Sequence, residues 1–136
     1  MKQFLADSTY HQLYVADREL EPEAPTEWTD QDLAAHHLTL TSIAALCPES
    51  HINARVTSCG PNDPVPNFTD TPDFEVLTSI EVPSCRVGVY SWPWELEDEY
   101  ELSTTHCKIC FRGYALQKKD AEQDYYLVHL ASEISP

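Results

Sequence analysis

The sequence predicts a mainly β protein, an antiparallel β-sandwich with one short helix near residues 29–37. Three observations carry this. Short segments of alternating or β-branched and aromatic residues recur along the chain; Pro, Asn and Asp clusters separate them at sandwich-like intervals; and no regular strand–helix alternation appears that would signal a parallel sheet. A length of 136 residues fits a single domain over 1–136, in which folding hides roughly two-thirds of the surface the unfolded chain exposes.

The first predicted strand lies in residues 9–17, where Tyr10-His11-Gln12-Leu13-Tyr14-Val15 places Tyr10, Gln12 and Tyr14 on one face and His11, Leu13 and Val15 on the other. Residues 18–27 follow as an acidic loop, since Pro22 and Pro25 prevent a helix through Glu19, Glu21, Glu23 and Glu27. Thr29 stands three residues before Asp32 and ahead of Leu33-Ala34-Ala35-His36-His37-Leu38, the pattern of a capped helix of about two turns. Residues 39–47 form an apolar run expected to end as a strand before Pro48. Residues 51–59 alternate, with Ile52, Ala54 and Val56 facing one way and His51, Asn53, Arg55 and Thr57 the other.

Pro61, Pro64, Pro66 and Pro72 make residues 60–72 a long loop. Phe74, Val76, Ile80 and Val82 then mark a strand closed by Pro83, and residues 85–90 form another. Cys107, Ile109 and Phe111 alternate with Lys108 and Arg112, residues 117–124 read as a turn, and residues 125–130 as a buried terminal strand. About seven strands result.

The chain carries 23 Asp and Glu against 8 Lys and Arg, a formal net charge of −15. Such a charge repels nucleic-acid phosphates and anionic membranes, and steers a cationic protein inward. The acids concentrate in Ser91-Trp92-Pro93-Trp94-Glu95-Leu96-Glu97-Asp98-Glu99-Tyr100-Glu101-Leu102, with no Lys or Arg between Val87 and Cys107. An acidic run commonly does no more than keep a surface solvated. Three large rings among the acids add rigid contact area, which points to a protein-binding surface formed by Trp92, Trp94, Glu95, Glu97, Asp98, Glu99, Tyr100 and Glu101.

Other chemistry is thinly represented. His106, Cys107 and Cys110 give the one metal-like spacing, but residues three apart on a strand point to opposite faces, and no second Cys-x-x-Cys completes a site. His36 and His37 are adjacent, where a zinc-protease helix needs histidines four apart with a glutamate between them. Three glycines leave no phosphate-cradling loop and no nucleophile elbow, and paired carboxylates such as Asp98 and Glu99 carry no specificity in so acidic a chain. The expectation is a non-enzyme without cofactor or metal. Five cysteines and an N-terminal segment with only Phe4-Leu5-Ala6 as an apolar run suggest reduced thiols and a cytoplasmic protein.

Tyr10-His11-Gln12, Trp28-Thr29-Asp30, Ile80-Glu81-Val82-Pro83 and Tyr100-Glu101-Leu102, taken in that order, resemble the competence protein J family over residues 8–32 and 78–130. The resemblance implies a bacterial inhibitor of a DNA-entry nuclease. Glu97-Asp98-Glu99 departs from it, standing where that family turns through Pro and Gly before its Tyr-x-Leu. The expected function is an acidic inhibitor or immunity protein that occludes a basic effector, a nuclease first of all. The alternatives are a non-nuclease toxin as target, or a small metal-binding protein using His106, Cys107 and Cys110. The target's identity and the oligomeric state are not set by the sequence.

Overall fold

The computed structural model describes residues 2–6, 12–25, 27–48, 54–65, 71–91, 94–114 and 125–133. These form ten strands and one helix: β1 (Lys2–Ala6), β2 (Leu13–Asp17), α1 (Asp30–Ala35), β3 (His37–Thr39), β4 (Ile43–Leu46), β5 (Ala54–Cys59), β6 (Phe74–Glu81), β7 (Arg86–Ser91), β8 (Glu95–Glu101), β9 (His106–Tyr114) and β10 (Tyr125–Ser132). Two five-stranded sheets result, with strand orders β1-β5-β10-β9-β6 and β3-β4-β2-β7-β8. No helix among the described residues is long and apolar enough to cross a membrane.

The two inner faces share one core. From the first sheet come Val56, Val76, Ile80, Cys107, Ile109, Phe111, Tyr126, Val128 and Leu130, and from the second Leu13, Val15, Ala44, Leu46, Val87 and Val89. Their two-residue spacing is the strand period that the sequence displays. The edges are stitched as well: Glu81 N–H donates to Thr41 C=O at 2.8 Å and the Thr39 and Thr78 hydroxyls meet at 2.9 Å, joining β6 to the β3–β4 side. On the opposite edge, the Lys2 ammonium on β1 donates to the Glu97 carbonyl on β8 at 2.6 Å.

The expected sandwich and helix are present, with several differences. Ten strands stand where about seven are expected, because β1 and β3 are short edge strands and the acidic run itself is a strand. One pairing is parallel, between β5 and β10. A parallel pair cannot close through a tight turn, and β6 to β9 lie between these two strands in the chain. On β5, Arg55 is exposed as expected, but Thr57 on the same face is buried, as is Ser58 on the other.

The helix is capped as expected: Asp32 N–H donates to Thr29 Oγ1 at 3.1 Å and Thr29 N–H to Asp32 Oδ2 at 3.0 Å. It is shorter than expected, because His36 takes the left-handed conformation at φ 65° and ends it. His37 therefore begins β3 and does not lie on the helix. The His36 ring stacks on Phe74 at 3.8 Å, while His37 Nδ1 meets Thr39 Oγ1 at 3.0 Å. Tyr10, His11, Ile52, Trp92 and the turn at 117–124 lie outside the described residues.

Every residue of β2 and β4 is buried, so neither strand has an outer polar face. The cause is a strap, residues 18–25 and 27–28, that folds back over the outer face of the second sheet. There Ala24 and Trp28 join Trp94 and Leu96 in covering Tyr14, Ala16, Ile43, Ala45 and Tyr90. A strand covered on both faces loses the alternation that normally identifies it.

Candidate protein-interaction surface

β8 is the edge strand of the second sheet and pairs with β7 alone. Its register shifts between Val89 and Tyr90, so that Asp98 faces Val89 while Leu96 faces Tyr90 and Glu97 is the extra residue. Such a bulge re-aims side chains on either side of it. Tyr100 turns inward to the main core, where its hydroxyl meets Ser58 Oγ at 2.9 Å and donates to Asp98 Oδ2 at 2.9 Å. Burial pushes the Tyr100 phenol well above its ordinary range, so it remains a protonated donor. Gly60 is required opposite: a Cβ there would lie 2.2 Å from Tyr100 Cδ1.

Beyond the bulge, Leu96 and Trp94 cover the outer aromatic cluster. The Trp94 ring stacks on Tyr90 at 4.1 Å with 10° between planes and tilts against Tyr14 at 5.5 Å. The strap is anchored beside it by Asp17, which is fully buried. Its carboxylate accepts from the Glu19 and Leu20 amides at 2.8 and 2.9 Å and from the Ser84 amide and hydroxyl at 3.1 and 3.0 Å. Burial by itself would raise the Asp17 carboxyl, but these four hydrogen bonds outweigh it and hold the group below its ordinary value.

Cations distant in sequence meet the acidic strand. Glu99 accepts from Arg18 Nε at 2.9 Å and from Arg86 Nη2 at 3.2 Å, and Arg86 also reaches Glu19 at 3.8 Å. Glu97 is held by Lys2 at 3.8 Å and by the Ser91 hydroxyl at 3.4 Å. These contacts lock β8 to the strap. Arg18 and Arg86 thus join the start of the acidic strap to Glu99 of the acidic strand.

The eight predicted contact residues divide accordingly. Glu95, Glu99 and Glu101 are exposed; Glu97 and Asp98 are half-buried and engaged in holding neighbours; Trp94 and Tyr100 are half-buried in packing; Trp92 lies outside the described residues. Glu21, Glu23 and Glu27 of the strap are exposed as well. Arg18, Arg86 and Lys2 carry no local signal in sequence, since their partners lie 13 to 95 residues away.

The His106, Cys107 and Cys110 cluster does not come together. Cys107 is in the core, where burial pushes its thiol up to about 12, while Cys110 lies on the outer face of β9. His106 shares that outer face but stands four residues away, about 13 Å along a strand. Among the described residues no three His, Cys, Asp or Glu side chains gather as a metal site. No disulfide joins the five cysteines.

No protein-family model matches the sequence, and no curated protein does either. The fold is similar to that of ComJ from Bacillus subtilis, an inhibitor of the DNA degrading activity of NucA. The TM-score is 0.76 at 14% identity, over 98% of this chain and 96% of that one. A second solved structure, crocagin biosynthetic gene J, aligns at a TM-score of 0.47 and 15% identity, over 98% of this chain and 100% of that one. The protein therefore has a ComJ-like fold.

Proposed function

We propose that the chain is an acidic inhibitor, without catalytic activity of its own, that binds a basic nuclease and occludes its nucleic-acid cleft. The observation that carries this reading is a ComJ-like fold on which Arg18 and Arg86 tie an acidic strap to the acidic β8. Glu95, Glu99 and Glu101 from β8, with Glu21, Glu23 and Glu27 from the strap, would occupy the cationic cleft that otherwise receives phosphates. Trp94 and Tyr100 support β8 from beneath, and Trp92, Glu97 and Asp98 belong to the same proposed contact. Rigid support matters because a preorganised surface loses less entropy on binding.

The acids would act first on encounter, since long-range attraction raises association rates steeply at low salt. The test is to capture partners from the source organism on the immobilised chain, then titrate the chain into each captured basic protein while measuring DNA cleavage. Cleavage should fall to background at a stoichiometric ratio. Glu95→Lys with Glu101→Lys should slow association by about tenfold or more and flatten its salt dependence. Captured nucleases that keep full activity, or binding kinetics indifferent to the double substitution, would count against the reading.

A further inference from the structure

The outer face of the first sheet is unlike the rest of this acidic molecule. In cross-strand register, Leu77 on β6 stands beside Cys110 on β9, which stands beside His129 on β10. Lys108 and Arg112 flank Cys110 two residues away on either side. With Ala131 these residues line a groove of about 270 Å³. Leu77 is 60% exposed at its edge. Arg112 gives its Nε to Glu75 at 2.6 Å and also hydrogen-bonds the Tyr114 side chain, and about a third of its side chain stays exposed. Lys108 makes no ion pair among the described residues. Burial and the nearby Arg112 hold the His129 imidazole below its ordinary value, keeping the groove floor uncharged at neutral pH. The groove thus has an uncharged floor between two cations, Lys108 and the Glu75-paired Arg112.

The strap carries the complementary shape. Glu19-Leu20-Glu21 sits at its first turn, with Leu20 56% exposed between two exposed glutamates and Glu21 at φ 46°. Glu19 makes one long ion pair, with Arg86 at 3.8 Å. One aliphatic side chain between two carboxylates is what a groove with an uncharged floor between two cations would accept.

We propose that a second copy of this chain docks its Glu19-Leu20-Glu21 turn into the groove lined by Leu77, Lys108, Cys110, Arg112, His129 and Ala131. Knob and groove belong to different sheets, so the contact is head-to-tail, and each copy offers one of each. Copies carrying −15 repel one another at long range, so association belongs at ionic strengths of about 0.15 M and above, where the Debye length has fallen to about 8 Å. Taken with the proposed function, on which this consequence alone rests, assembly would cover the strap and compete with the target.

The experiment uses the protein alone, so its failure would leave the target reading untouched. Sedimentation velocity at about 0.15 M salt should show the average mass rising with concentration, with a dissociation constant on the order of 0.1 mM. Leu20→Asp and Leu77→Asp should each be monomeric. An equimolar mixture of the two should form a dimer and nothing larger, because one intact knob and one intact groove remain. Both sites are exposed, so melting temperatures should match the parent; if one variant does not fold, Leu20→Ser and Leu77→Ser take their place. A parent that stays monomeric, association that survives both substitutions, or a mixture that stays monomeric would each overturn the proposal.

Discussion

Replacing Trp94 with Ala separates a supporting ring from a free contact residue. The indole lies on Tyr90 at 4.1 Å and against Tyr14, closing the cluster that includes Ala16, Ile43 and Ala45. Removing a fully buried large aromatic costs about 3–5 kcal/mol, and a half-buried one about half of that. Loss of the stacked geometry adds about 0.5–1.5 kcal/mol. The sum is about 3 kcal/mol, which for a chain of this size lowers the melting temperature by roughly 10 °C. Thermal and urea unfolding of the parent, Trp94→Ala and Trp94→Phe would measure it. Trp94→Phe should recover most of the loss because a ring remains on Tyr90. A melting temperature for Trp94→Ala within about 1 °C of the parent would refute the packing argument and return Trp94 to the role of a free contact residue.

Charge reversal should act differently at two exposed positions of β8. Glu99→Lys removes two ion pairs and sets three cations together, so it should cost about 1–2 kcal/mol in urea unfolding, whereas Glu95→Lys should stay within about 0.5 kcal/mol. Asp17→Asn should cost about 2 kcal/mol near neutral pH, since a buried carboxylate with four donors loses its charge. The Asp17 carboxyl is held below its unfolded value, so its contribution is complete above the unfolded pKa of about 3.9 and disappears as pH falls through the folded one. The stability gap between parent and variant should therefore be flat from about pH 5 to 8 and narrow below about pH 4; a gap that widens on acidification would contradict the hydrogen-bonded carboxylate.

The parts of the fold legible in sequence are those whose cause is local. The Thr29–Asp32 capping box needs four consecutive residues, and both of its hydrogen bonds form. β6 and β9 show their alternation because one face meets the core and the other meets solvent, as at Val76 and Ile80 or Cys107 and Ile109. Where a distant segment covers the second face, the signal fades. β4 reads as a plain apolar run because the strap, arriving from residues 18–25 and 27–28, removes its solvent side. β8 misleads in the opposite direction: Glu-Leu-Glu-Asp-Glu-Tyr-Glu has the composition of a solvated run, yet Leu96 and Tyr100 bury on opposite sides of a bulge and pull the whole segment onto the sheet edge.

The acidic segment also shows why a charge count along the chain is not a charge count on a surface. From Val87 to Cys107 no cation interrupts the acids, but pairing with β7 brings Arg86 to Glu99 and the strap brings Arg18 to the same carboxylate. Glu99 is therefore already paired within the molecule, and Asp98 already accepts from Tyr100, before any partner arrives. Glu95 and Glu101 are exposed and take no part in these bonds, while the cations hold two acidic segments together. Removing Arg18 would leave the formal charge more negative. By this reasoning it would also loosen the strap from β8, so the more acidic protein would be the weaker binder.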